Sequence, residues 1–134
     1  KEDEIGYNYR MSTINARFLY HKLDKFKDVL EEKTLIAKEY DKHFRNCSVR
    51  GQVTHSYHIY PILHKNRDKL ISYAKDKGVE LKCHYPLPVH KLPAYKTDKY
   101  YLPITDLVSS QQVSLPIYPG VDYKKVIKVI KEYD

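Results

Sequence analysis

Tryptophan is absent from this 134-residue chain, methionine occurs once, glycine four times and cysteine only twice. The cysteines, Cys47 and Cys83, show no CxxC spacing, which excludes a disulfide scaffold and suits a reducing compartment. Neither is expected to be reactive. No stretch approaches the roughly 18 consecutive apolar residues of a membrane helix. The opening Lys1-Glu2-Asp3-Glu4 lacks the apolar segment of a signal peptide, so a cytoplasmic location is expected. Nucleophile elbow, P-loop and GxGxxG patterns are all missing, leaving no self-contained phosphate cradle or nucleophile. An independent enzyme is therefore not expected. The sequence also has no initial methionine and begins abruptly on charged residues, as a piece of a longer polypeptide would.

What is present suits one folded domain with one core. Apolar residues make up 42% and charged residues 31%, far from the composition of a disordered chain. The formal charge of +7 attracts anionic partners in principle. However, the 19 lysines are scattered through Lys22-Lys25-Lys27, Lys65-Lys69, Lys96-Lys99 and Lys124-Lys125-Lys128-Lys131, as on a mixed solvated surface. A freestanding basic module that binds nucleic acid or another anionic partner through lysine and the 14 tyrosines stays open as an alternative.

From Ser12 to Phe44 there is neither Gly nor Pro, and apolar residues recur at Ala16, Leu19, Leu23, Phe26, Leu30, Ala37, Tyr40 and Phe44, with Lys33 the one break. Steps of three and four predict a helical stripe, capped at its start by Ser12 or Thr13. Unbroken, it would run about 48 Å, too long for a domain of this size, so two collinear or kinked helices are expected, with Asp24 as the second N-cap. A coiled coil is the alternative. Thr54 to Leu63 reads as a strand that Pro61 confines to an edge. Asn66 then caps a helix carrying Leu70, Ile71 and Ala74, which Gly78 closes with positive φ. Val79 to Cys83 is the next strand, and a proline loop runs from Pro86 to Pro103. Thr105 caps a short helix, Val113-Ser114-Leu115 forms a strand, and a last helix starts at Asp122. The expected order is helix, strand, helix, strand, helix, strand, helix.

The seven histidines raise the question of a metal site. His55 and His58, three apart on a predicted strand, face opposite ways. His84, His90 and Cys83 converge only if the proline loop folds back, and no carboxylate cluster accompanies them. No metal site is expected.

Gly6-Tyr7-Asn8-Tyr9-Arg10-Met11, followed by the long helix with Ile36-Ala37-Lys38-Glu39-Tyr40, resembles the opening of the C-terminal domain in the DegT/DnrJ/StrS family of pyridoxal-phosphate-dependent sugar aminotransferases. Later segments resemble the same family in order. They are His55 to Tyr60, Asn66-Arg67-Asp68-Lys69-Leu70 with Lys77-Gly78-Val79-Glu80, His84-Tyr85-Pro86-Leu87-Pro88-Val89-His90, and Ser114-Leu115-Pro116-Ile117-Tyr118-Pro119. Asn15, Arg17 and Lys22 depart from its usual residues.

The resemblance implies an α/β fold. It is the small C-terminal domain of an aspartate-aminotransferase-like, fold type I enzyme, with a short, mostly antiparallel sheet, helices on one face and a long N-terminal helix. It implies that residues 1–134 form one domain of a larger homodimeric aminotransferase acting on nucleotide-linked keto sugars, with glutamate or glutamine as amino donor, in cell-surface polysaccharide or antibiotic-sugar pathways. The large domain, with the Schiff-base lysine and the carboxylate that pairs with the pyridine nitrogen, would lie outside this chain. The fragment alone would then be inactive. Asn8, with Arg10 beside it, would reach the cofactor phosphate of the partner subunit, and His84 and Tyr85 would flank the sugar-nucleotide pocket. A regulatory paralogue without catalysis is a further possibility.

Overall fold

Ser12 begins the first helix by accepting a hydrogen bond at its hydroxyl from the Asn15 N–H, 3.3 Å away. In this computed structural model, which describes residues 10–45, 55–94 and 100–134, the long stripe divides into α1 (Thr13–Leu23) and α2 (Phe26–Asp41). The break lies where expected, but Asp24 is not an N-cap. It is the C-cap of α1, while Lys25 occupies the N-cap position of α2 without a side-chain bond. The two helices have different surroundings. No residue of α1 is buried, whereas α2 buries Ile36, Ala37 and Tyr40. Lys33, the break in the stripe, is half-buried, and desolvation pulls its ammonium below the usual lysine range.

Strand β1 is Tyr60–Leu63, shorter than the ten-residue strand expected from Thr54. Thr54 lies outside the described residues, and residues 55–59 are not strand. Tyr57 sits there at φ 47°, with its N–H donating to His55 Nδ1 at 2.9 Å, a local turn that competes with extended pairing. The opposite-faces argument for His55 and His58 therefore loses its basis. Next, α3 (Arg67–Asp76) buries Leu70 and Ala74. Asn66 stands at its N-cap position but makes no side-chain cap, and Gly78 closes the helix at φ 72°. Val79 and Leu81 are buried, yet Val79 to Cys83 yields only a single bridge between Lys82 and Ser114, not a strand.

A 3-10 turn, Val89–Lys91, interrupts the proline loop. Helix α4 (Pro103–Gln111) starts at Leu102 with Pro103 in its first turn, so Thr105 is inside the helix and not its cap. Strand β2 (Gln112–Leu115) follows, and α5 (Tyr123–Tyr133) begins where the Asp122 carboxylate accepts from the Lys125 N–H at 3.0 Å.

The sheet is the antiparallel pair β1–β2, with Tyr60 opposite Leu115, Pro61 opposite Ser114, Ile62 opposite Val113 and Leu63 opposite Gln112. β1 is an edge, which is where Pro61 is tolerated. Side chains alternate faces, so Tyr60, Ile62, Val113 and Leu115 share one face. They join Tyr40, Leu70, Ala74, Val126, Val129 and Ile130 from α2, α3 and α5 in one core. Among the described residues no helix is long and apolar enough to cross a membrane.

Candidate functional site

All four residues of β2 are buried, and their alternation assigns them two tasks. Val113 and Leu115 enter the core. Gln112 and Ser114 face the opposite way, each only 4% exposed, and a buried polar group must find partners there. They find them in each other and in His84. The Gln112 Oε1 accepts from the His84 backbone N–H at 3.0 Å, the Gln112 Nε2 donates to Ser114 Oγ at 2.7 Å, and His84 Nδ1 lies 3.0 Å from the same Oγ. The Lys82–Ser114 bridge holds the incoming segment in register through hydrogen bonds of 2.7 and 3.2 Å. His84 and Ser114 also line a cleft of about 450 Å³, with His58, Lys82, Asp122 and Lys125 around it.

Tyr85 follows His84 across a cis peptide bond and is 73% exposed, with its ring almost perpendicular to the imidazole at 6.0 Å between centroids. It stands beside the cleft but is not one of its lining residues. The loop beyond it is fastened to α4. Asp106 Oδ1 is 2.8 Å from Lys91 Nζ and 3.2 Å from His90 Nε2. The Lys91 ammonium, more than the His90 ring, holds the Asp106 carboxyl below the usual carboxylate range.

Arg67 fixes the other side of the site. Its guanidinium donates to the Ser109 carbonyl, to Cys83 Sγ at 3.3 Å and, through Nε, to Asp68 Oδ1 at 2.8 Å. It thereby joins the start of α3, the segment before His84 and the end of α4. The hydrogen bond to Asp68 raises the guanidinium pKa further and lowers that of the carboxyl.

Of the four residues the resemblance singles out, the structure thus brings His84 and Tyr85 together. Arg10 is exposed ahead of α1 and does not line the cleft, and Asn8 lies outside the described residues. Gln112, Ser114, Arg67 and Asp106 were missed as contributors. Arg67 and Ser114 carried a signal, since both fall within quoted motifs, but nothing local marks Gln112 as buried. Among the described residues no three His, Cys, Asp or Glu side chains converge on a metal position.

Known proteins similar to this chain supply the context. The chain is 30% identical over 131 residues to the UDP-2-acetamido-2-deoxy-3-oxo-D-glucuronate aminotransferase of Pseudomonas aeruginosa, covering 94% of this chain and 36% of that protein. The crystal structure of a DegT DnrJ EryC1 StrS aminotransferase from Brucella abortus superposes with a TM-score of 0.85 at 28% identity, covering 99% of this chain and 39% of that one. The Streptococcus pneumoniae sugar aminotransferase Spr1654 in its PMP form shares the fold with a TM-score of 0.82 at 19% identity, covering 98% of this chain and 37% of that one. The chain therefore spans little more than a third of the length of the curated relatives it matches.

Pyridoxal phosphate, the cofactor of these aminotransferases, needs an enclosed amine, a carboxylate for the ring nitrogen and a set of phosphate donors. The described residues do not make that set. In the cleft, Lys82 is exposed and paired with Glu80 at 3.4 Å, and Lys125 is exposed, with its ammonium 3.4 Å from the Gly78 carbonyl that accepts its hydrogen bond. The cofactor does not fit as a group held by these residues alone. With the order of motifs, the small antiparallel sheet and the helix arrangement all in place, the match over residues 1–133 to the DegT/DnrJ/EryC1/StrS aminotransferase family means that the chain belongs to that family.

Proposed function

We propose that this chain is the C-terminal domain of a pyridoxal-phosphate-dependent aminotransferase that transfers an amino group from an amino acid to a nucleotide-linked keto sugar. The observation that carries the reading is the apolar surface of α1. Ile14, Phe18, Leu19 and Leu23 are 70, 66, 48 and 63% exposed, and no residue of that helix is buried. Large apolar side chains left exposed around half the circumference of a helix make a surface laid down to be covered. The share of each relative that the chain spans supports the same conclusion, since the remaining two thirds of a relative supply what would cover it.

In this reading the chemistry at the amine belongs to residues outside this chain, and the chain's own residues bind and orient. Asn8 and Arg10 offer an amide and a guanidinium to a phosphate, in the fixed donor geometry such oxygens accept. His84 offers a ring nitrogen, and Tyr85 an exposed hydroxyl and ring face, to the sugar nucleotide. The reading also makes the enzyme a cytoplasmic homodimer, because Asn8 serves the partner subunit's cofactor. The lysines favour it over a nucleic-acid module, since several are spent in local pairs, Lys27 with Glu31, Lys82 with Glu80 and Lys128 with Glu132.

The test is an assay of the full-length protein with pyridoxal phosphate, glutamate and a panel of nucleotide-linked keto sugars. Amino-sugar formation by the full-length protein, and none by the 134-residue chain, is expected. Turnover by this chain unaided would overturn the assignment.

A further inference from the structure

We infer that Gln112 and Ser114 are positioning residues that set the tautomer of His84, so that its Nε2 carries the proton and serves the cleft as a hydrogen-bond donor to an acceptor oxygen of the substrate. The direction of every bond follows from the first. A backbone N–H can only donate, so the amide atom of Gln112 facing the His84 N–H, at 3.0 Å, is the oxygen. The other amide atom is then the NH2 group, which can only donate, and it does so to Ser114 Oγ at 2.7 Å. Ser114 is left with one proton of its own. His84 Nδ1, 3.0 Å from Oγ, is the acceptor placed to receive it. A neutral ring that accepts at Nδ1 carries its proton at Nε2.

Both anchoring side chains are 4% exposed, so water does not compete for these bonds, and a reversed polarity would leave the serine proton without a partner in a buried place. The ring, in contrast, is only half-buried and lines the cleft of about 450 Å³. His84 is thus tethered twice, by its backbone and by Nδ1, and among the described residues its remaining nitrogen is left to recognise a ligand. The matching ligand chemistry is an oxygen that accepts, such as a carbonyl, a hydroxyl lone pair or a phosphate oxygen. The substrate part of this inference rests on the function proposed above, while the tautomer does not.

Two measurements separate them. In this chain labelled with 15N-histidine, at about pH 8.5 where an imidazole is ordinarily neutral, long-range 1H–15N correlation is expected to show His84 with a bare Nδ1 and a protonated Nε2. Gln112→Glu removes the amide donor to Ser114 Oγ and supplies a carboxylate that takes the serine proton, which reverses the chain. The His84 proton is then expected at Nδ1. If that variant does not fold, Ser114→Ala is expected to move the Nδ1 resonance, since the nitrogen loses its donor. A protonated Nδ1 in the unsubstituted chain, or a tautomer unchanged by Gln112→Glu, would overturn the relay. In the full-length enzyme, Gln112→Glu is expected to raise KM for the sugar nucleotide roughly tenfold, the value of about one hydrogen bond, with little change in kcat. The tautomer found as assigned with KM unmoved by both Gln112→Glu and His84→Ala would overturn the substrate role alone.

Discussion

The hydroxyl of Tyr40 on α2 donates to the carbonyl of Pro116, 2.8 Å away, joining positions 76 residues apart. Tyr40 is fully buried, and its ring lies 5.0 Å from that of Tyr60, whose own hydroxyl donates to Asp41 Oδ1 at 2.6 Å. Burial, with the nearby Tyr118 and Asp122 adding to it, pushes the Tyr40 phenol well above the usual tyrosine range, so it stays a donor. Tyr40→Phe keeps the ring and removes the bond, leaving a carbonyl with one partner fewer. We expect a loss of about 1–2 kcal/mol in urea unfolding.

Leu70 tests the core more directly. It is fully buried between α3 and the sheet face that carries Val113. Leu70→Ala is expected to cost about 2–5 kcal/mol, the range set by how far the surroundings collapse into the space. Phe18→Ser is the control on α1. Its ring is exposed, so the unfolding free energy of this chain is expected to change by less than about 0.5 kcal/mol. In the homodimer proposed for the full-length protein, Phe18→Ser is expected to weaken association, measured by analytical ultracentrifugation.

The tie between the proline loop and α4 should weaken in acid. The carboxyl of Asp106 has a lowered pKa in the folded state, held down first by Lys91. Its contribution is therefore present above the ordinary carboxylate value of about 3.9 and is lost as pH falls through the lower folded value. Asp106→Asn removes the dependence. The measurement is tryptic cleavage after Lys91, which is expected to accelerate in the variant at neutral pH while the far-ultraviolet circular dichroism is unchanged.

Arg67→Lys keeps the charge but loses the fork. A single ammonium cannot reach the Ser109 carbonyl, Cys83 Sγ and Asp68 from one position as the guanidinium does. A loss of about 1–2 kcal/mol in thermal or chemical unfolding is expected, with the Ser109 carbonyl left short of a donor.

Much of this architecture is legible in the sequence. The absence of Gly and Pro from Ser12 to Phe44 marks the long helical region, Gly78 its positive-φ stop after α3, and Asp122 the start of α5, because each depends on local chemistry. The strands are less legible. Thr54 to Leu63 has the composition of a strand, but the Tyr57 turn limits pairing to Tyr60–Leu63. Val79 to Cys83 has buried alternate residues yet pairs at only one position. Pairing depends on what lies opposite, which no local pattern records. The site divides the same way. His84 and Tyr85 stand out through the resemblance, whereas Gln112 matters because the fold brings it to a residue 28 positions away.

The alternation of β2 has a consequence for how this protein can change. Odd positions fill the interior and even positions hold the imidazole, so inserting or deleting one amino acid within Gln112–Leu115 would flip every residue on one side of the change, driving an amide or a hydroxyl into hydrocarbon or turning valine or leucine toward the cleft. Length variation among natural descendants should therefore accumulate elsewhere, and recombination breakpoints that preserve folding should avoid these four codons.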